Sequence, residues 1–291
     1  MSDKQRLGLV YLVVALSQVV LGGTFPAAKI ALRDFDPYTL ALFRFLIAAV
    51  SLLLLLRISG RLKPIQRRDL GKLILLGFLV IPCNQLLFLY GLQFTTSARS
   101  ALWFGATPIF VFVAALPLLG ERATWQKVVG TLLSLAGVAL LLRAGDIELR
   151  VLTGDLIVLG AVASWAVYTV VGRPLVQRYG ALTMTAYALI IGTLMYLPFG
   201  IYLAREFSPS VVSLPGWLGL GYIAIGTSVV GYSLWYWGLR QLEATKLAIF
   251  QNLEVVAGAA FSVWFVGETL GSEYFIGSIL VIAGVIVTQR G

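Results

Sequence analysis

Ten long apolar runs, joined by connections too short to hold a soluble domain, constrain this chain more than any other feature of its sequence. They cover residues 7–32, 37–56, 70–92, 99–119, 127–142, 154–174, 181–204, 214–239, 245–266 and 274–289. A helix needs about 20 apolar residues to cross roughly 30 Å of hydrocarbon, and in lipid the backbone must satisfy its own hydrogen bonds. Each run therefore predicts a transmembrane helix. Over 291 residues, 59% are hydrophobic and 12% charged, with mean hydropathy +0.92, more apolar surface than a soluble core of this size can bury. The longest polar stretch, 57–72, is too short for a catalytic or nucleic-acid-binding module. The expected fold class is an all-α polytopic membrane protein of ten transmembrane helices, with the lipid bilayer as its solvent and no nucleic-acid partner.

The net charge of +9 sits between the apolar runs and reads as a topology signal. With the N-terminus inside, Lys and Arg fall inside 15 times and outside six times, with Arg44 on neither side. Both termini are expected in the cytoplasm, and the chain in the cell inner (plasma) membrane as a multi-pass protein. The first run is longer than a signal-peptide core and lacks a convincing cleavage site, so it is read as the first span. One cysteine, Cys83, and no histidine leave no intrachain disulfide, no cysteine cluster and no His-ligated metal. No metal and no cofactor are expected.

Sliding the chain against itself by 147 positions aligns Gly91-Leu92 with Gly238-Leu239, Gly120-Glu121 with Gly267-Glu268, Gly130 with Gly277, and Ala136-Gly137-Val138 with Ala283-Gly284-Val285. Upstream the shift becomes 144, pairing Lys29 with Arg173 and Thr39 with Thr183. The chain is therefore expected to hold two repeats, 1–150 and 151–291, of five spans each. An odd number of spans inverts the second copy relative to the first, giving a 5+5 architecture with a pseudo-two-fold axis in the membrane plane, as in many secondary transporters. A monomer is the expected functional unit.

Ala106-Thr107-Pro108 through Gly120-Glu121, followed by Gly130 and Ala136-Gly137, resembles the end of an EamA repeat of the drug/metabolite transporter superfamily. Asn252-Leu253-Glu254 through Gly267-Glu268 resembles the second copy, and Pro37-Tyr38-Thr39-Leu40-Ala41-Leu42-Phe43-Arg44-Phe45 resembles that family's second helix. The second copy departs from the pattern, with Val255 opposite Pro108 and Ala188 opposite Arg44. The resemblance implies a central cavity lined mainly by helices 1, 3, 4, 6, 8 and 9, and export of a small-molecule substrate, with amino acids, aromatic or neutral, the foremost class. Nucleosides, purines and cationic compounds remain alternatives, as does a channel-like facilitator.

Polar residues at membrane depth are the site candidates. Arg44, about seven residues into span 2, carries an intramembrane charge costing at least about 2.5 kcal/mol; it reads either as a structural arginine or as a gating or substrate group. Glu254 is the one carboxylate well inside a span and reads either as a coupling group or as a structural partner of Arg44. Gln18, Asn84, Gln85, Gln251 and Asn252 are amides that serve either as interhelical glue or as ligands. Trp103, Trp165, Tyr168, Tyr232 and Trp235 pack, or line a pocket that stacks on an apolar substrate while amides fix its polar end. An intramembrane enzyme is disfavoured, because no paired aspartates or Asp-rich diphosphate motif occurs within spans.

Overall fold

The computed structural model describes residues 3–61, 64–142, 149–268 and 273–290; Lys63 and Arg143, two of the topology charges, lie outside them. The described residues are helical, with no strand among them. Eight helices are long and apolar enough to cross a membrane: α1 (Gln5–Ala31), α2 (Pro37–Ile58), α3 (Arg67–Gly91), α4 (Ser97–Leu119), α6 (Leu149–Tyr179), α7 (Ala181–Glu206), α8 (Leu214–Gln241) and α9 (Ala244–Val266). Two shorter ones, α5 (Trp125–Leu142) and α10 (Glu273–Gln289), have 18 and 17 residues.

The surface is apolar and the interior holds the polar groups. Leu12, Leu16, Val50, Leu54, Leu194 and Phe199 are each more than half exposed, whereas Arg44, Asn84, Gln85, Gln251, Asn252 and Glu254 are buried. That polarity suits a hydrocarbon solvent outside and demands polar partners inside.

Chain reversal at each connection places residues 59–61, 64–66, 120–124, 180 and 242–243 on one face of the bundle, here face I, together with the N-terminal end of α1. Face II carries 32–36, 92–96, 207–213 and 267–268. Bonds between connections respect this division. On face I, Arg178 and the Tyr179 hydroxyl both donate to Asp69, at 2.5 and 2.6 Å. On face II, Ser213 N donates to Asp34 at 3.0 Å. The sixth apolar run was expected to end at residue 174, but α6 continues to Tyr179, because Gln177, Arg178 and Tyr179 form a polar extension whose last two side chains tie the helix to α3.

Several spans are interrupted near mid-depth. α1 bends at Gly23, α4 breaks between Phe104 and Thr107, and α9 breaks between Ala248 and Gln251. The α4 break is followed by Pro108 in the first turn of the new segment, where its missing N–H costs nothing. α3 and α8 widen into π-helical turns at Leu79–Gln85 and Tyr222–Gly231, segments that overlap under the 147-residue shift. Such turns free backbone groups and often mark functional positions. Here the freed carbonyls are used: Leu79 O accepts from Ser164 Oγ at 2.8 Å, and Ile223 O from Ser228 Oγ at 2.9 Å.

Helix neighbours also recur in pairs. α2 packs on α7 and α5 on α10, while α1–α9 matches α6–α4 and α1–α8 matches α6–α3. The α5–α10 contact is the most extensive and is very close. A Cβ built on Gly130 would stand 2.7 Å from Gly284 O, and one on Gly284 would stand 2.6 Å from Gly130 O. Only glycine admits that approach at both positions.

Candidate functional site

The interruptions of α1, α3, α4, α8 and α9 converge on a small central cavity of about 20 Å³. This is room for about one water, far below the roughly 300 Å³ of a small-molecule site. Its polar lining is Thr24, Asn84, Gln85, Thr227, Tyr232, Gln251 and Glu254; Leu21, Phe25, Phe88, Phe104 and Trp165 supply the apolar walls. The walls are in van der Waals contact, so admitting a solute requires them to separate.

One side of the cavity is built by a continuous chain of side-chain bonds. Arg44 on α2, fully buried, donates Nη1 to Gln85 Oε1 at 2.5 Å and Nε to Ser228 Oγ at 2.9 Å. Gln85 Nε2 in turn donates to Tyr232 OH at 2.8 Å and to Asn84 Oδ1. Asn84 Nδ2 closes the chain on Ala161 O of α6 at 2.7 Å. Gln85 and Tyr232 are 147 residues apart, so positions paired by the sequence shift meet directly at this bond. Thr24 and Thr227 bond across the cavity at 2.8 Å. On the α9 side Glu254, in the first turn after the helix break, accepts only a long bond from Gln251 Nε2, at 3.5 Å. Arg44 and Glu254 form no ion pair; Arg44 stands behind Gln85 rather than on the cavity wall. Arg44→Leu is therefore expected to release Gln85 and lower transport about tenfold, the value of a charged hydrogen bond. Arg44→Lys, which lacks the two-pronged guanidinium, should not restore it. Solute flux in proteoliposomes, with melting temperature as the folding control, measures this.

Aromatic side chains shut the cavity toward each face. Phe25, Phe88 and Phe104 meet edge-on, with centroids 5.5–5.8 Å apart, on the face II side. Toward face I, Trp165 packs on Tyr168, Tyr232 and Trp235 at 5.2, 4.9 and 5.8 Å, and Tyr168 on Tyr236 at 5.2 Å.

Beyond the aromatic layers, a carboxylate fastens each face. α4 and α9 end on Gly120 and Gly267 in the left-handed conformation, φ 65° and 81°, which turns the next residue back across the bundle. Glu121 there accepts from the N-terminal backbone of α9, Ala244 N at 2.6 Å and Thr245 N at 3.3 Å. Glu268 accepts from the N-terminal backbone of α4, Ser97 N and Ala98 N, both at 3.0 Å. These are helix N-termini, where anionic side chains are stabilised by unpaired N–H groups. The supporting cations also correspond: Arg173 donates to Glu121 at 2.7 Å and to Leu242 O at 3.3 Å, and Lys29 to Thr95 O at 2.6 Å. Face I adds Lys127, paired with Glu243 and 3.8 Å from Glu121. Burial of Glu243 works against its ionisation, but Lys127, with Lys246 and Arg173, outweighs this and holds its carboxyl below the ordinary glutamate range. Face II adds neutral contacts instead, Ser97 Oγ bonding Glu268 at 2.6 Å and Ser262 Oγ at 2.9 Å.

Of the residues singled out in the sequence, Asn84, Gln85, Trp165, Tyr232, Gln251 and Glu254 line the cavity. Trp235 and Tyr168 form the layer behind it. Gln18 is buried on α1 against Ser17, Trp103 is half-buried on α4, and Asn252 is buried beside the α9 break; these three lie outside the lining. Thr24, Thr227, Phe25, Phe88 and Phe104 line it without having been singled out. Thr24 and Thr227 carry no sequence signal, since threonine is ordinary in membrane helices.

The fold and site can be set beside known proteins. The EamA-like transporter family model matches twice, over residues 8–143 and 152–290. A Bacillus subtilis protein named uncharacterized transporter YyaM is 31% identical over 96% of this chain and 93% of its own length. A probable terminal-alkyne amino-acid exporter of Streptantibioticus cattleyicolor is 28% identical over 95% of this chain and 92% of its own. A solved crystal structure with 18% identity superposes with TM-score 0.75 over 95% of both chains, a likeness of fold. With two family matches spanning nearly its whole length, a membrane-crossing helical bundle and a polar centre closed at both ends, the chain is a multi-pass membrane transporter, not an enzyme, and belongs to the EamA-like transporter family.

Proposed function

We propose that this protein exports small metabolites, foremost aromatic or neutral amino acids, by alternating access through the central cavity. In this reading α5 and α10 also span the membrane, so that ten helices form two inverted five-helix repeats, 1–150 and 151–291. Face I, with both termini, is cytoplasmic in the inner membrane, and a monomer is sufficient. The observation that carries the proposal is the paired fastening of faces I and II by Glu121 and Glu268 around one contracted cavity. A device of this kind opens one face while the other stays fastened. The N-terminal segments of α4 and α9, held by those carboxylates, are the moving parts, together with the π-helical turns of α3 and α8. The substrate class draws its support from the amino-acid exporter among the relatives and from aromatic walls joined to amide and hydroxyl groups.

The test is counterflow in proteoliposomes against a panel of amino acids and nucleosides, with and without a pH gradient. Saturable counterflow of an aromatic or neutral amino acid is the expected result. Flux that neither saturates nor trans-stimulates would identify a channel-like facilitator and defeat alternating access.

A further inference from the structure

The central cavity has an uneven chemistry. Among the charged side chains of the described residues, Glu254 alone lines it. The residue is 5% exposed, and its carboxyl forms no ion pair among the described residues and accepts one long bond from Gln251. Gln251 Oε1, on the same turn and also buried, has no hydrogen-bond partner. Two acceptors, one of them acidic, therefore lie together at the wall without a cation. The basic group that would suit a substrate carboxylate, Arg44, is withdrawn behind Gln85 and does not line the cavity; its Nη1 and Nε are engaged by Gln85 and Ser228, and its Nη2 has no hydrogen-bond partner. The rest of the wall combines neutral hydroxyl and amide groups and Leu21 with the rings of Phe25, Phe88, Phe104 and Trp165, and aromatic faces attract cations.

We infer that the cavity recognises a protonated amino group, taken by Glu254 with Gln251 Oε1 as second acceptor, and that a substrate carboxylate is dispensable for binding. The inference rests on the transport reading of the same cavity and narrows its substrates to ammonium-bearing solutes with an apolar or aromatic body. Simple arylalkyl amines are then ligands as well as aromatic amino acids, whereas the corresponding carboxylic acids without nitrogen are not.

Binding to the purified full chain in detergent separates the inference from the transport reading. The probes are phenylethylamine, L-phenylalanine and phenylpropionate, which share a ring and differ in the amine and the carboxyl. Phenylethylamine and L-phenylalanine are expected to bind, read by intrinsic fluorescence and by thermal stabilisation. Phenylpropionate should be weaker by about 30-fold or more, as follows when one partner of a buried charge pair is removed. Glu254→Gln should lose the amine preference, and Gln251→Leu should weaken amine binding severalfold while keeping the preference. Should Glu254→Gln fail to fold, the wild-type ranking and Gln251→Leu still decide. Phenylpropionate binding as tightly as phenylethylamine, an amine preference unchanged in Glu254→Gln, or no binding of either amine would overturn the inference. Amine-selective binding with no counterflow in proteoliposomes would uphold it and sink the transport reading instead.

Discussion

Glu121→Ala should unfasten face I and leave face II shut. The substitution removes the acceptor for Ala244 N, Thr245 N and Arg173 and strips Lys127 of one of its two carboxylates. Breaking a buried pair by deleting one partner costs about 3–5 kcal/mol. Because Arg173 is a fifth exposed, about 2 kcal/mol is the appropriate share here, enough to shift the balance of closed and open states roughly 30-fold. The readout is a cysteine at Ala248, which is fully buried on α9 between the Glu121-bound Ala244–Thr245 turn and the cavity-lining Gln251, in a Cys83→Ser background. A water-soluble maleimide should label Ala248→Cys much faster when Glu121→Ala is present. Glu268→Ala should do the same for Ala101→Cys, the buried position one repeat earlier. Each carboxylate is expected to affect its own face only. If either substitution opened both faces, or neither did, the carboxylates would be structural caps rather than gate fasteners.

The second large effect concerns folding. Gly130→Leu or Gly284→Leu should abolish accumulation of folded protein, because even a Cβ would stand 2.6–2.7 Å from a backbone oxygen of the facing helix, and four heavy atoms have no space at all. Side chains of the facing helix crowd the same space, Thr288 Oγ1 and Ser134 Oγ standing 2.0 and 2.1 Å from where Cβ atoms on Gly130 and Gly284 would be. Overpacking in well-packed interiors costs about 1–3 kcal/mol per small group, and this substitution adds several. Monodispersity and yield from detergent extracts measure it. Gly71→Leu, at a position with open space around its Cα, is the matched control and should accumulate normally.

Much of this architecture is legible in the sequence because lipid imposes a simple code. Eight of the ten apolar runs coincide with helices long and apolar enough to cross a membrane, and the 147-residue shift pairs Glu121 with Glu268 before any coordinate is known. The role of that pair is less legible. Gly-Glu at a span end reads as a membrane-edge motif, and only three dimensions bring each glutamate to the N-terminus of a helix more than 120 residues away in sequence. The centre is legible in part for a similar reason. Asn84, Gln85 and Glu254 are conspicuous because amides and charges are costly in hydrocarbon, whereas Thr24, Thr227 and the Phe25–Phe88–Phe104 layer look like ordinary membrane composition. Whether Arg44 meets Glu254 is a question of a few ångströms, and no spacing rule decides it. The structure puts Gln85 on Arg44 and leaves the glutamate on the cavity wall.

The Gln85–Tyr232 bond joins two positions paired by the 147-residue shift. Arg44 and Glu254 have no counterparts under the sequence shifts, since Ala188 and Thr107 occupy the related positions. Two copies of the first family-matched segment would set two such arginines and no Glu254 at the centre, and two copies of the second would set two such glutamates and no Arg44. The union of unlike segments is what gives the centre one basic and one acidic side chain, so neither can be traded for a copy of the other without losing one of the two.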